Sequence, residues 1–137
     1  MKKIIVAYDG SKQSEKAFNQ ALDIAAKYSA NVVLIAVARP PEIPSMVELE
    51  MMLEDATEYF QEQFKRLKDL AESLGVNVRF EVRAGHPAEQ IVRIAVEEKA
   101  DAIVMGHRGG GFVQKWLLGS VAKRVLSYAH CTVIIVR

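Results

Sequence analysis

The chain has 137 residues, of which 50% are hydrophobic and 26% charged, and its formal net charge at pH 7 is +1. This composition is typical of one soluble globular domain, which at this length buries ~68% of its unfolded surface without disulfides or a structural metal. Proteins that bind nucleic acid usually show a strongly basic balance, so we expect no nucleic-acid partner.

The cysteine content and the length of the apolar runs indicate where the protein is located. The single cysteine, Cys131, cannot form an internal disulfide, and no apolar leader follows Met1. These features predict a cytoplasmic protein. The longest apolar run, from Val32 to Ala38, is far shorter than the ~20 residues of a membrane-spanning helix, so we expect no membrane partner.

Five short runs rich in β-branched residues predict strands. In chain order they are Lys2–Tyr8, Val32–Val37, Val76–Val82, Ala102–Met105 and Thr132–Val136. Most of these runs lack alternation of polar and apolar residues, which is typical of strands covered on both faces.

Helical patterns lie between the strands. Ser11 can cap a helix that runs to about Tyr28, and Ser45 with Glu48 predicts reciprocal capping of a long helix that ends at Gly75. Apolar residues recur along the long helix every three or four positions, at Leu49, Leu53, Ala56, Phe60, Phe64, Leu67, Ala71 and Leu74. Pro87 begins a third helix, and a fourth begins near Gly119 and Ser120.

The alternation predicts an α/β fold: a single domain over residues 1–137 with a Rossmann-like open five-stranded parallel sheet and helices on both faces. In such folds, ligands bind beyond the carboxyl ends of the strands, where the strand order reverses. Polar and glycine residues that follow the strands are therefore the candidate site residues.

Net positive charge and glycine residues are concentrated in the last quarter of the chain. Residues 102–137 contain five basic and no acidic residues, whereas the first 101 contain 13 basic and 17 acidic ones. Five of the eight glycines also lie in residues 102–137. Glycines allow positive φ and close approach of the backbone to an anion, and a helix that begins at Gly119 and Ser120 adds free amides. The pattern favours a phosphate site over an ordinary glycine-rich loop.

An acidic stretch between Glu42 and Glu62 has no basic residue. We interpret it as a solvated helix face.

The pattern Gly106-x2-Gly109-x9-Gly119-Ser120 matches, without a gap, the nucleotide-binding signature of the universal stress protein family. The segments Ile4–Ser11, Ala84–Ala88, Ala100–Gly106 and Leu117–Arg137 resemble the same family, so the likeness covers the whole chain. Family members often have proline where Ala7 and Thr132 stand, but neither change removes a donor from the site. The chain resembles the ATP-binding branch.

The resemblance implies ATP as ligand, together with Mg²⁺ or Mn²⁺, in a nucleotide-gated module for stress response. It places Asp9 at the ribose or a phosphate-bound metal ion, Val37 at the adenine edge, and Ala7 and Met105 in the adenine slot. Ribose and phosphates would contact Gly106, His107, Gly109, Gly119, Ser120 and Val121. The resemblance also implies a homodimer through the last strand, whose apolar run would be hazardous as an exposed sheet edge. No particular protein partner is indicated.

Several alternatives stay open from the residues alone. Asp9 can instead make a local turn bond to the Ser11 amide. His107 is either a ligand contact or a solvent-exposed loop residue. No residue is assigned a catalytic role, but a slow metal-dependent ATPase or phosphotransferase using Asp9 is a second hypothesis, and a scaffold with a vestigial crevice is a third. A P-loop motif and a dinucleotide fingerprint after the first strand are both missing from the sequence.

Overall fold

The computed structural model of the chain describes residues 1–41, 43–107 and 118–137. Within these ranges, five strands alternate with four helices. The elements are β1 (Lys3–Ala7), α1 (Lys12–Tyr28), β2 (Asn31–Ala38), α2 (Met46–Ser73), β3 (Val78–Ala84), α3 (Pro87–Glu97), β4 (Ala102–Gly106), α4 (Ser120–Tyr128) and β5 (Thr132–Val136).

The strands form one parallel sheet in the order β3-β2-β1-β4-β5. The predicted Rossmann-like α/β fold with five parallel strands is thus confirmed. The chain builds outward from β1 through β2 to β3, then returns to the other side of β1 for β4 and β5. The strand order therefore reverses between β1 and β4.

Two apolar layers cover the sheet. On one face, side chains of α1 and α2, including Phe18, Leu22 and Leu67, pack on β1, β2 and β4. On the other face, α3 and α4 contribute Ile94 and Val125 to a second cluster. The three central strands are buried on both faces, which explains their continuous runs of Val, Ile and Leu.

The helices begin where the sequence predicts. The Ser11 hydroxyl accepts a 3.1 Å bond from the Ser14 amide, and the Ser45 hydroxyl accepts a 3.1 Å bond from the Glu48 amide. The predicted reciprocal capping by Glu48 is wrong in one respect, because its carboxylate accepts from the Ser45 hydroxyl rather than from a backbone amide. The Ser45 cap therefore satisfies one orphan amide instead of two.

Strand boundaries differ from the prediction by a residue or two, and most of all in β3. It spans Val78–Ala84 instead of Val76–Val82, because the Val76 amide donates to the Ala71 carbonyl at the end of α2. Gly75, at φ +70°, makes the turn there that a residue with a side chain rarely adopts.

Only part of the apolar stripe of α2 is buried. Of its residues, Phe60, Leu67 and Ala71 are buried, while Leu74 lies beyond the helix and is 49% exposed. A helix of 28 residues is about 42 Å long, whereas the seven residues of β3 span about 23 Å. The amino-terminal half of α2 therefore extends past the sheet and has no core to cover.

Among the described residues, no helix is both long and apolar enough to cross a membrane.

Candidate functional site

A cavity of about 310 Å³ opens at the carboxyl ends of β1 and β4, where the strand order reverses. It has the size of a small-molecule site and the position at which α/β folds of this kind bind ligands. Sixteen described residues line it: Ala7, Tyr8, Asp9, Ser11, Ser14, Ile35, Val37, Pro87, Ile91, Met105, Gly106, His107, Gly119, Ser120, Val121 and Ala122.

The structure brings nine of the ten predicted site residues to this cavity. They are Ala7, Asp9, Val37, Met105, Gly106, His107, Gly119, Ser120 and Val121. The tenth, Gly109, lies outside the described residues, as do the neighbouring Arg108 and Lys115. Residues that are far apart in sequence therefore meet at one sheet edge, as the parallel topology requires.

One wall of the cavity is apolar. Ala7, Ile35, Val37, Met105 and Ile91 come from three adjacent strands and α3, and they belong to or pack on the α3 and α4 side of the core. Their packing fixes the wall before any ligand arrives. An apolar wall of this kind suits an aromatic ring.

The amino terminus of α4 forms another part of the cavity lining. Gly119 is its N-cap residue and makes no side-chain cap bond; its amide donates to the His107 carbonyl at 3.0 Å, and its carbonyl accepts from Lys123. The amides of Ser120, Val121 and Ala122 precede the first intrahelical donor and have no hydrogen-bond partner among the described residues. These free amides and the positive helix end form a site for an anion.

His107 is held between two parts of the chain. Its amide donates to the Val136 carbonyl at 2.7 Å, and its carbonyl accepts from Gly119. The residue is 8% exposed and lines the cavity, so the alternative of a solvent-exposed loop residue is wrong. Its backbone bonds fix the start of α4 relative to β4 and β5.

Asp9 makes the local bond that one of the two hypotheses predicts. Its Oδ1 accepts from the Ser11 amide at 2.9 Å, while the side chain stays exposed at the mouth of the cavity. The turn relies on Gly10, whose φ is +84°. The second carboxylate oxygen accepts no hydrogen bond from the described residues, so the turn bond and a ligand contact are compatible.

Two further helices direct their amino termini at the cavity. Ser11 and Ser14 belong to the first turn of α1, and Pro87 begins α3. The Ser14 hydroxyl is buried and donates to the Ser11 carbonyl at 2.9 Å. These three residues are not among the predicted site residues, although their position after β1 and β3 is a signal that the sequence contains.

Glycine at position 106 has a different reason from the one expected. Its φ is not positive, and a Cβ there would lie 2.7 Å from Gln13 Cβ and 2.9 Å from the Gln13 carbonyl carbon. Gly119 also has an ordinary φ of −63°. Neither position therefore needs glycine for a positive φ, and the close packing of α1 on β4 explains Gly106.

Tyr8 connects the cavity to α2. Its ring lies 6.0 Å from that of Phe60, and it also contacts Phe64. Burial is the main reason that its pKa is raised, and the negative charge of Glu15 adds to the effect. Tyr8 is therefore a neutral, packed member of the cavity wall.

The remaining reactive side chains lie away from the cavity. His86 is the N-cap residue of α3 but makes no side-chain cap bond, and burial raises the pKa of the half-buried Cys131 thiol. Within residues 1–41, 43–107 and 118–137, no three His, Cys, Asp or Glu side chains cluster as a metal site would require.

Comparisons with known proteins agree on one family. The model of the universal stress protein family matches residues 1–137. A universal stress protein from Methanocaldococcus jannaschii is 40% identical over 139 residues, which cover 99% of this chain and 82% of that protein.

Solved structures agree as well. The universal stress protein UspA from Lactobacillus plantarum has a TM-score of 0.85 and 26% identity, covering 99% of this chain and 97% of its own. A universal stress protein solved in complex with cAMP has a TM-score of 0.76 and 25% identity, and the match covers 99% of this chain and 97% of that one.

Proposed function

Because the chain belongs to the universal stress protein family, we propose that its cavity binds ATP and that the protein acts as a nucleotide-gated module in stress response. One observation carries the proposal: the uncapped amides of α4 and a preformed apolar wall line the same cavity. A ligand that satisfies both has a flat ring at one end and an anion at the other, as a nucleotide does. The relative solved with cAMP supports this class of ligand.

In this proposal, the residues divide by chemistry. Ala7, Val37 and Met105 would contact the adenine ring. The amides of Ser120 and Val121 would donate to phosphate oxygens, with Gly106, His107, Gly109 and Gly119 shaping the backbone around them. The ligand is a single nucleotide rather than a nucleic-acid chain, whose phosphates would need a broad basic surface.

Asp9 fits a modest role toward Mg²⁺ or Mn²⁺. Such ions are commonly held by one or two carboxylates together with substrate phosphates, and Asp9 keeps one carboxylate oxygen available. The ion would neutralise phosphate charge. We assign no ligand beyond Asp9, because the described residues offer no further cluster.

The proposal extends to the setting of the protein. It places the protein in the cytoplasm, which its single, unpaired Cys131 supports. It also includes a homodimer through β5, an edge strand with an apolar sequence.

The central test replaces one amide of α4. Ser120→Pro removes the amide and the hydroxyl but suits the first position of a helix, and the extended Gly119 before it suits a following proline. Ser120→Ala removes only the hydroxyl. A hydrogen bond to a charged group contributes about 1.5–3 kcal/mol, so we expect Ser120→Pro to weaken ATP binding about 10- to 100-fold by calorimetry, and more than Ser120→Ala does.

Two results would contradict this proposal. Unchanged ATP affinity in Ser120→Pro, with the fold intact by circular dichroism, would remove the role of α4, and a parent protein that binds no ATP would favour the scaffold hypothesis. Phosphate release from ATP and Mg²⁺ above the blank, abolished by Asp9→Ala, would replace the binding module with the slow ATPase. Mass spectrometry of nucleotide retained through purification identifies which adenine nucleotide the protein carries.

A further inference from the structure

The amino-terminal half of α2 presents an apolar and acidic surface that the fold does not use. We define the α2 surface as Met46, Val47, Glu50, Met51, Glu54 and Glu58. At 100° per residue these six side chains fall within an arc of about 140°, beside the stripe that leads to the buried Phe60. The first buried residue of α2 is Phe60, so about 21 Å of helix precedes it.

The apolar members of this surface are unusually exposed. Met46, Val47 and Met51 are 75%, 64% and 58% exposed, and Val47 and Met51 are neighbours at i and i+4. Three of the five methionines of the chain lie between Met46 and Met52. Methionine is flexible and polarisable, which suits a surface that adapts to a partner.

The charge of the region has one sign. Residues 43–62 contain six acidic side chains and no Lys, Arg or His. Glu50, Glu54 and Glu58 make no hydrogen bond or ion pair with other described residues, although Arg66 on the same helix pairs with Glu15 of α1. No described cation therefore pairs with these three carboxylates.

A shallow groove runs beside these residues. It has a volume of about 520 Å³ and is lined by Leu53, Glu54, Thr57, Glu58, Gln61 and Phe64. Its lining combines the apolar Leu53 and Phe64 with the carboxylates of Glu54 and Glu58. A helix with apolar residues on one face and basic residues beside them would match this pattern.

We propose that the α2 surface binds a basic amphipathic helix of a partner protein. The charge favours a basic partner, and the exposed apolar side chains distinguish this surface from a merely solvated acidic face. The inference does not depend on nucleotide binding, because none of the six residues lines the cavity at the sheet edge.

The test uses a synthetic 18-residue helix of leucine and lysine, patterned so that leucine fills one face. Fluorescence anisotropy measures its affinity for the full chain, and NMR chemical shifts of α2 locate its binding. Glu54→Lys/Glu58→Lys reverses two charges of the α2 surface. Asp69→Lys/Glu72→Lys, at the other end of the same helix, gives an identical net charge and serves as the matched control.

We expect the first double variant to weaken peptide binding at least 10-fold and the control to weaken it less than 2-fold. Val47→Ser/Met51→Ser should weaken binding at least 5-fold, whereas Val96→Ser on α3, also an exposed apolar residue, should not. None of these side chains is buried, so the variants should fold.

Equal losses in the two charge-reversal variants would show diffuse electrostatic attraction and would overturn the proposal, as would peptide shifts outside α2. Sedimentation measures whether the α2 surface binds a second copy of the chain instead. If the unliganded chain self-associates and Glu54→Lys/Glu58→Lys abolishes that association, the occupant is a second copy of this chain and the proposed basic partner is wrong.

Discussion

At Gly106 the backbone of β4 passes so close to α1 that no side chain fits between them. The nearest atoms to a built Cβ belong to Gln13, and two of the three are backbone atoms. Backbone atoms cannot rotate away as the end of a side chain can, so relief requires a shift of α1 itself.

Gly106→Ala should therefore destabilise the protein by about 1–3 kcal/mol, the usual range for overpacking. Urea denaturation measures the loss of unfolding free energy. Gln13→Ala, added to Gly106→Ala, should not restore stability, because the crowded Cβ and backbone of Gln13 remain. A Gly106→Ala protein as stable as the parent would mean that α1 packs less closely than the structure shows.

At this scale the sequence was informative about chemistry but not about contacts. The location of Asp9, Gly106, Gly119 and Ser120 beside one cavity could be predicted, because their spacing and their place relative to the strands are visible in the sequence. The reason for Gly106 and the burial of Ser14 and His107 could not, since each depends on a neighbour brought close only by folding.

At the scale of elements, β3 forms a sheet edge with a charged face. Arg83 pairs with Glu97 of α3 at 2.8 Å and also with Glu81 of its own strand, and Arg79 pairs with Glu98. The hydrogen bond from Arg83 is the largest cause of the lowered pKa of Glu97. These pairs tie β3 to α3, and charges on the strand discourage edge-to-edge pairing there.

Arg83→Met should move the pKa of Glu97 up toward its ordinary value. Carbon-detected NMR titration of the Glu97 carboxyl measures the change, with Arg93→Met as a control that removes only a weaker, through-space contribution. A pKa lowered in the folded state stabilises the fold above the unfolded pKa, and the effect is lost as the pH falls through the folded pKa. Arg83→Met should therefore lose less stability on acidification than the parent. An unmoved Glu97 pKa would show that this ion pair does not form in solution.

The positions of the helices were more predictable from the sequence than the side-chain contacts. Serine caps, Pro87 and apolar spacing locate the helices, because each acts through neighbours in sequence. The ends of β3 and the unused half of α2 were not predictable, since they depend on how far the sheet extends beneath a helix of 28 residues.

The two edges of the sheet differ in charge. The charged β3 forms one edge, while β5 forms the other with the sequence TVIIV and no charged side chain within the strand. An apolar edge strand exposes unpaired backbone groups and is usually covered. A second β5 related by two-fold symmetry would cover it.

We expect a dimer in sedimentation equilibrium at micromolar concentration. Ile134→Lys, at the middle of β5, would place two positive charges near the two-fold axis and should give a monomer. Val82→Lys, on the opposite edge strand, should leave the dimer intact. A monomeric parent protein, or a dimer that Val82→Lys disrupts instead, would contradict pairing through β5.

The backbone of His107 connects the cavity to the β5 edge of the sheet. Its carbonyl receives the amide of Gly119 at the start of α4, and its amide reaches the last residue of β5, Val136. Two backbone hydrogen bonds of His107 thus join the start of α4, at the cavity, to the edge strand β5. A bound nucleotide that strengthens the hydrogen bond between Gly119 and His107 could favour dimerisation through the bond between His107 and Val136. Thermodynamic reciprocity then requires the dimer to bind nucleotide more tightly than the monomer, by the same factor.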